Sequence, residues 1–308
     1  MPGARVTGWG IAVPDKIVTN ADLSLRLDTS DEWITERTGI KERHIGGTTS
    51  ELAIEAGRVA LARAGVAPED VDVLVLATTT PDEVIPGTSA TVQAGLGMLG
   101  GAFDVNAACS GFVYGMVVAH GLVLAGSQTV LLIGSETLSR FTDWDDRSLA
   151  VLVGDGAGAV VLQAVDGPGQ LLGWHLGANG TLRDLLHCPH GGYMSMNGKE
   201  IFRHAVRAVI DSSLVALQHA GLGPDDVDLF VPHQANARII TAAASRLGIA
   251  EDRYVVTIDR YGNTSSASIP LALADALDTD RLHPGDIVLL SGFGGGMTWG
   301  SAVLRWGG

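Results

Sequence analysis

Two segments of the chain, 156 positions apart, repeat nearly the same order of residue types. Residues 64–75 (AGVAPEDVDVLV) and 220–231 (AGLGPDDVDLFV) each indicate a helix that ends at glycine, a turn with proline and a buried strand. The predicted helices before them, residues 51–63 and 200–219, are placed alike. The repeat constrains the chain to fold as two similar units.

Two more pairs of segments follow in the same order. Apolar runs at residues 129–134 and 286–291 are typical of strands covered on both faces. Residues 154–162 and 295–304 also match, but the offset falls from 157 to 142, so we expect an extra segment near residues 140–148. We therefore predict an α/β fold with duplicated halves, residues 1–165 and 166–308, each with a mixed sheet covered by helices.

Cys109 lies where a predicted strand, residues 101–105, passes into a predicted helix, residues 112–124. A thiol at such a corner faces the positive end of the helix dipole, which favours the thiolate. Small neighbours leave the sulfur open to a substrate, so the thiol could accept an acyl group. A buried, inert cysteine is the alternative.

The duplication relates this corner to residues 257–268. Corners that are equivalent in two halves tend to face one another near the shared axis. We therefore expect Asn263 to approach Cys109 in space, although 154 positions separate them.

Composition excludes several classes of protein. A net charge of −14 over 308 residues argues against nucleic acid as a partner. Two cysteines, Cys109 and Cys188, provide no disulfide framework, which favours a reducing cytoplasm. We expect no secretory signal, since the start lacks an apolar core, and no membrane span, since no apolar run is long enough.

Other motifs have ordinary explanations. The glycine-rich segments 154–158 and 292–296 lead into strands, so we reject dinucleotide binding. His187, Cys188 and His190 lie on a loop with proline and no evident fourth ligand, so we predict no metal site. Lys199, Arg203 and Arg207 share one helix face, as do Arg238 and Arg246 on another, and both could be solvated faces.

Six motifs follow one another along the chain: residues 29–40 (TSDEWITERTGI), the Cys109 corner, 154–159 (GDGAGA), 231–236 (VPHQAN), 262–265 (GNTS) and 292–296 (GFGGG). In these motifs and their order, the whole chain resembles the β-ketoacyl-acyl carrier protein synthase III family of thiolase-like condensing enzymes. The resemblance implies a thiolase-like fold with duplicated halves in a layered α-β-α-β-α arrangement.

The resemblance also implies a reaction and its residues. Cys109 would take an acyl group from acyl-CoA, and malonyl-acyl carrier protein would then lose carbon dioxide to give an enolate. N–H donors on His233 and Asn263 would stabilise the enolate, and backbone N–H groups of Cys109 and Gly295 would form a second oxyanion hole. The enolate would attack the acyl-cysteine and so start a fatty-acid or polyketide chain.

Other roles are implied residue by residue. The family places coenzyme A, a substrate here and not a tightly bound cofactor, against positions that match Trp33, Arg37, Arg147, Gly198 and Asn236. Carrier-protein docking would use Arg203, Arg238 and Arg246, and the acyl pocket would use Ile85, Val153 and Phe293. The family also implies a homodimer.

The sequence departs from the family at the acyl pocket. Ile85 is aliphatic where members that use acetyl primers often have Phe, which predicts a branched or medium-length starter. The segment of residues 177–197 is shorter than the usual loop over the tunnel. Two alternatives stay open: an acyltransferase of the same fold that makes no C–C bond, and a non-catalytic partner subunit, against which the presence of Cys109 argues.

Overall fold

The computed structural model describes residues 2–307, which form two larger β-sheets with helices on their faces. The strands of the first half are β1 (Pro2–Ala12), β2 (Ile17–Thr19), β3 (Glu42–His44), β4 (Val73–Ala77), β5 (Gly101–Val105), β6 (Thr129–Thr137) and β7 (Asp155–Asp166). Those of the second half are β8 (Leu171–Ala178), β9 (Leu186–His187), β10 (Ser195–Met196), β11 (Leu229–Pro232), β12 (Ile287–Gly294) and β13 (Thr298–Arg305). The α-helices are α1 (Asn20–Ser24), α2 (Asp31–Thr38), α3 (Thr49–Ala64), α4 (Thr88–Leu96), α5 (Gly111–Leu124), α6 (Arg147–Ala150), α7 (Gly198–Ala220), α8 (Ala237–Leu247), α9 (Ile258–Tyr261) and α10 (Ser268–Asp278).

The two larger sheets repeat one topology. The first has the order β1-β7-β6-β4-β5, and the second has the order β8-β13-β12-β11. In both, the two apolar strands that the repeat predicts pair in parallel, β4 with β6 and β11 with β12. Two further strands add antiparallel on one side, β7 and β1 in the first sheet and β13 and β8 in the second, while β5 adds parallel to β4. The predicted mixed sheets are confirmed.

The second sheet lacks a counterpart of strand β5. The segment that the repeat aligns with β5 forms the short helix α9, and only isolated bridges flank it, Tyr254 with Phe230 before it and Asn263 with Val153 after it. The strand that the repeat implies there is therefore wrong. The corner that follows α9 nevertheless has the same backbone geometry as the Cys109 corner.

The elements stack in five layers, α-β-α-β-α. Helices α3 and α4 pack on the outer face of the five-stranded sheet, and α7 and α8 pack on the outer face of the four-stranded sheet. Helices α5 and α10 lie between the sheets, where Phe112, Met116 and Ile269 are fully or almost fully buried with side chains of both sheets. This layered thiolase-like arrangement is the predicted one.

Both helices of the first repeated segment end as their sequence indicates. Helix α3 ends at Gly65, whose φ is 65°, and α7 ends at Gly221, whose φ is 71°. Glycine occupies this left-handed conformation without the steric cost that a Cβ brings. Each helix therefore stops at the same place before its sheet strand.

The halves differ in one connection. Seventeen residues, 138–154, separate β6 from β7, and they include the helix α6. In the second half only residues 295–297 separate β12 from β13. The extra segment that the change of offset predicts therefore lies in this connection. Within residues 2–307, no helix is both long and apolar enough to cross a bilayer.

Candidate active site

Cys109 stands in a tight corner between β5 and α5. Residues 108–110 form a 3₁₀ turn, and Ala108 has a left-handed φ of 47°, which is uncommon for a residue with a Cβ. The oxygen of the Ala107 carbonyl accepts hydrogen bonds from the hydroxyls of Ser110, at 2.7 Å, and Thr298, at 2.8 Å. The corner is therefore held from both halves of the chain.

The second half has the same corner at an offset of 157. Ser265 has a φ of 49°, as Ala108 has 47°, and a 3₁₀ turn follows in both places. The side-chain oxygen of Asn263 accepts the Ser265 N–H at 2.9 Å, and that of Asn106 accepts the Ala108 N–H at 3.4 Å. Asn106 is thus the counterpart of Asn263, a relation that the sequence analysis missed.

A cavity of about 590 Å³ joins the two corners. Cys109, Asn263, Ser265 and Gly295 line it, together with Val153. Its other lining residues are Thr79, Thr80, Pro81, Asp82, Glu83, Val84, Asn106, Ala108, Leu138, Arg140, Phe141, Leu149, Leu152, Leu186, His187, Cys188, Pro189, His190, Gly191, Met194 and Met196. The structure therefore brings the predicted nucleophile and the predicted amide to one chamber.

Strand β12 and the glycines after it run directly against the nucleophile. A Cβ on Gly294 would lie 2.5 Å from the Cys109 nitrogen, closer than real atoms approach. Glycine is therefore required at this contact. It allows the backbone of Gly295 to enter the cavity beside Cys109, where the second oxyanion hole is predicted.

His233 lies behind this lining, not in it. The residue follows β11, is 3% exposed, and packs its ring edge-on against Phe293 with 5.5 Å between ring centroids. The His233 N–H donates to the Ser291 carbonyl at 2.8 Å, which fixes the residue to the end of β12. His233 and the predicted acyl-pocket residue Phe293 are thus buried neighbours, and neither belongs to the lining of the cavity.

The hydrogen bonds of His233 indicate which ring nitrogen carries the proton. Nδ1 lies 2.6 Å from the Ser268 hydroxyl, and that hydroxyl accepts the Gln234 N–H at 3.2 Å. The Ser268 proton is therefore available to Nδ1, which leaves the ring hydrogen on Nε2. Burial lowers the pKa of His233 to about 3, so the ring is neutral at physiological pH.

The hydrogen bonds of Asn263 leave its side-chain NH2 group free to donate. Its backbone N–H donates to the Leu152 carbonyl at 2.8 Å, and its carbonyl accepts the Gly154 N–H at 2.9 Å. Since the side-chain oxygen is occupied by the Ser265 N–H, the N–H groups of Nδ2 are what Asn263 can offer. Both His233 and Asn263 can therefore offer an N–H donor from an uncharged side chain.

The Cys109 thiol is neutral at rest. Burial raises its pKa to about 12, a hydrogen bond with the Ser265 side chain opposes the rise, and the negative charge of Glu136 adds to it. The expectation that the helix terminus favours the thiolate is therefore wrong. Cys109 lines the cavity and is only partly exposed, and burial is the largest cause of the rise in its pKa.

The predicted coenzyme A residues lie outside the lining of the cavity. Three of them, Trp33, Arg37 and Arg147, form a stack on the surface. The guanidinium carbons of Arg147 and Arg37 lie 4.9 and 5.2 Å from the Trp33 ring centroid. Because Arg147 contacts Trp33 directly, an adenine between them would require Arg147 to move. The side-chain nitrogen of Asn236 donates to the Arg37 carbonyl at 3.0 Å, and Gly198 is exposed at the start of α7.

Ile85 is not part of the cavity within one chain. Its side chain is 85% exposed, whereas its neighbour Val84 lines the cavity. Residues 84–86 form bends, and Val84, itself 79% exposed, contributes only to the edge of the cavity. Val153, 2% exposed, does line the cavity, and it bridges Asn263.

The loop that contains His187, Cys188 and His190 contributes all three residues to the cavity. The residues themselves suggested only an ordinary loop, whereas the family resemblance placed the segment of residues 177–197 over the tunnel. Among residues 2–307, no group of three or more His, Cys, Asp or Glu side chains is arranged to hold a metal ion. No local residue pattern indicates that these three side chains reach the cavity, because the loop packs through contacts far along the chain.

The predicted docking arginines are exposed on two neighbouring helices. Arg203 on α7 pairs with Glu200 at 2.6 Å, and the guanidinium carbon of Arg238 on α8 lies 5.8 Å from the Phe202 ring centroid. Arg246 is exposed in the last turn of α8. The basic side chains thus share one region of the surface formed by α7 and α8.

Comparison with known proteins gives concordant matches. Residues 103–180 match the family described as 3-oxoacyl-[acyl-carrier-protein (ACP)] synthase III, and residues 217–306 match its C-terminal family. The chain is 53% identical to a β-ketoacyl-[acyl-carrier-protein] synthase III from Roseiflexus castenholzii over 98% of both chains.

Solved structures agree with these sequence matches. A 3-oxoacyl-[acyl-carrier-protein] synthase III from Aquifex aeolicus superposes with a TM-score of 0.97 at 44% identity, covering 99% of this chain and 100% of that one. The priming β-ketosynthase of the R1128 polyketide pathway superposes with a TM-score of 0.93 at 36% identity, covering 99% and 96%.

The buried imidazole predicts a specific dependence of stability on pH. With its pKa near 3 in the folded protein and near 6.5 in the unfolded chain, His233 binds a proton only in the unfolded chain between these values. The folded state therefore loses stability as pH falls below 6.5, by up to about 1.4 kcal/mol per unit. Urea unfolding at pH 7 and pH 5 measures the loss.

The variant His233→Asn isolates this contribution, because the other titrating groups remain. Its free energy of unfolding should fall between pH 7 and pH 5 by about 2 kcal/mol less than that of the wild type. An equal fall in both proteins would contradict a buried, neutral His233.

Proposed function

The chain belongs to the 3-oxoacyl-[acyl-carrier-protein] synthase III family, and we propose that Cys109, His233 and Asn263 are the residues that carry out its condensation. The enzyme joins an acyl-CoA starter to malonyl-acyl carrier protein and so initiates fatty-acid or polyketide chains. The observation that best supports the assignment is that Cys109 and the Asn263 amide line one cavity, with the oxygen of that amide already occupied.

In the first half-reaction, the Cys109 sulfur attacks the carbonyl carbon of the acyl-CoA thioester. The new C–S bond forms, the bond to the coenzyme A sulfur breaks, and the thiol proton leaves with coenzyme A in the net reaction. Backbone N–H groups of Cys109 and Gly295 would stabilise the tetrahedral oxyanion between these steps. A thiol with a pKa near 12 is a poor nucleophile at rest, so attack depends on the bound thioester.

In the second half-reaction, malonyl-acyl carrier protein loses carbon dioxide and leaves an enolate. Neutral N–H donors suit the developing oxyanion, because a nearby cation would also hold the carboxylate that must leave. His233 Nε2 and Asn263 Nδ2 supply these donors. The enolate carbon attacks the acyl-cysteine, the β-ketoacyl product stays on the carrier protein, and the released Cys109 sulfur takes up a proton.

Acyl labelling tests the nucleophile. After incubation with a mixture of acyl-CoAs of different chain length, the intact mass should increase by one acyl group in the wild type and in Cys188→Ala, but not in Cys109→Ala. Cys188 is the matched control, because it is the second thiol that lines the cavity. Labelling that survives in Cys109→Ala would refute the assignment.

The same samples separate the two enzyme classes and test the starter. With malonyl-acyl carrier protein, a condensing enzyme releases carbon dioxide, whereas an acyltransferase is labelled without releasing it.

The acyl-CoA that labels Cys109 fastest reports the size of the acyl pocket to which Val153 contributes. A clear preference for acetyl-CoA would contradict the branched or medium-length starter.

The basic surface on α7 and α8 is proposed as the docking site for the carrier protein. The chain has a net charge of −14, so an acidic carrier requires a locally basic face. Arg238 and Arg246 have no carboxylate within salt-bridge distance among residues 2–307. Their guanidinium groups are therefore available to a partner.

Charge reversal tests the docking surface. Arg238→Glu with Arg246→Glu should increase KM for malonyl-acyl carrier protein about tenfold or more and leave the rate of Cys109 acylation by acyl-CoA unchanged. High salt should reduce the difference between the variant and the wild type, because it screens exposed charges. Arg305→Glu, at an exposed arginine on β13, is the control, and an equal effect of that change would refute the surface.

A homodimer is supported by the edge of the five-stranded sheet. Strand β5 ends that sheet, and unpaired edge strands are normally covered. Phe103 on this strand is 38% exposed, and Val84, Ile85 and Leu99 are each more than three-quarters exposed. A second copy would cover this apolar surface, including the Ile85 side chain that the cavity of one chain leaves out.

Light scattering in solution tests the dimer. The wild type should have twice the mass of one chain, and Phe103→Lys should shift the mass toward that of a single chain, because a charge would enter the apolar interface. Leu25→Lys, at an 87% exposed residue beside α1, is the control. A single-chain mass for the wild type would refute the homodimer.

A further inference from the structure

The carboxylate of Glu136, near the end of β6, is fully buried. It does not line the cavity, and within residues 2–307 no cation forms a salt bridge with it. Removing a carboxylate from water is costly unless hydrogen bonds replace the hydration. The side chain therefore needs a dense set of donors, and the chain supplies one.

The two oxygens of Glu136 hold two different parts of the molecule. Oε2 accepts the N–H groups of Thr79, at 3.0 Å, and Thr80, at 3.1 Å, and the Thr80 hydroxyl at 2.6 Å. Oε1 accepts the hydroxyls of Ser265, at 2.9 Å, and Ser266, at 2.8 Å. One carboxylate thus links the segment after β4 to the corner that follows Asn263.

The Ser265 link leads directly to Asn263. Ser265 has a left-handed φ of 49°, a conformation that costs a non-glycine residue energy and must be held by its contacts. Its hydroxyl is held by Glu136, and its N–H is the donor that occupies the Asn263 side-chain oxygen. Moving Ser265 would release the Asn263 amide, which could then turn its oxygen toward the cavity.

We propose that Glu136 is a positioning residue of the condensation step: it fixes Ser265, and through Ser265 it keeps the Asn263 amino group directed at the enolate oxygen. The inference rests on the proposed roles of Cys109 and Asn263 and goes beyond them. Glu136 serves the second half-reaction. The first half-reaction needs the Cys109 sulfur and its own oxyanion hole, and these do not use Asn263.

Glu136→Gln tests the proposal through the two half-reactions measured separately. The carbon dioxide release from malonyl-acyl carrier protein, by enzyme already acylated at Cys109, should fall about tenfold or more, since a misdirected oxyanion donor costs at least that factor. The rate of Cys109 acylation by acyl-CoA should change less than threefold. Because the Glu136 charge also acts on the thiol, alkylation of Cys109 by iodoacetamide should be no slower than in the wild type.

Asp155→Asn is the matched control. Asp155 is a second carboxylate without exposure, on β7, and it accepts hydrogen bonds from Ser139 and Gly46, not from the Asn263 corner. Asp155→Asn also replaces a buried carboxylate by an amide. Any loss of rate that it causes should therefore be similar in the acylation and in the carbon dioxide release.

Ser265→Ala covers the case in which Glu136→Gln does not fold. This variant keeps the Ser265 N–H but removes the hydroxyl that Glu136 holds. Because that hydroxyl also forms a hydrogen bond with the Cys109 thiol, the acylation rate is divided by the rate of Cys109 alkylation by iodoacetamide in the same variant, and carbon dioxide release should fall more than this corrected acylation rate. Equal losses in both half-reactions for either folded variant, or a loss confined to acylation, would overturn the proposal. A wild type that is not acylated at Cys109 would instead refute the proposed function itself.

Discussion

The close contact of two left-handed corners at the centre of the molecule is the constraint on which the site depends. A Cβ on Gly111, at the start of α5, would lie 3.4 Å from the Ser266 Cβ, so the Cys109 corner and the Ser265 corner already touch. Helices α5 and α10 begin at these corners and share the central layer. The position of each reacting group is therefore set by the packing of both sheets on that layer.

Burial at this contact also sets the charges of the site. The Cys109 thiol and the His233 ring are both neutral near pH 7, because desolvation raises the pKa of the first and lowers that of the second. The negative charge of Glu136 lies beyond the cavity wall, where uncharged donors satisfy it. The chamber thus offers neutral donors and a latent nucleophile, which fits a reaction whose charge develops on the substrate.

The repeat in the sequence was sufficient to predict two mixed sheets and the approach of the Asn263 corner to the Cys109 corner, whereas the five-layer arrangement came from the family resemblance. The first two features follow from residue patterns that survive in both halves. The remaining features depend on contacts between residues far apart in the chain. No local sequence pattern predicts the position of His233 behind Phe293, the exposed side chain of Ile85 or the cavity-lining loop at Cys188. Glu136 had a weak one, since a carboxylate that soon follows the apolar run of residues 130–133 in a strand covered on both faces must find hydrogen-bond donors. The pKa of Cys109 was mispredicted because a helix terminus is visible in the sequence, whereas the depth of burial is not.

The connection between β6 and β7 is longer than the equivalent connection between β12 and β13, and this difference affects how such a molecule can diversify. A duplicated frame supplies two equivalent corners, and both open into one cavity whose wall includes residues of the inserted segment 138–154, among them Leu149, Leu152 and Val153. The insertion converts a symmetric scaffold into one with a single reaction chamber. Substitutions there can remodel the shape of that chamber, and hence substrate range, while the inherited twofold framework stays untouched.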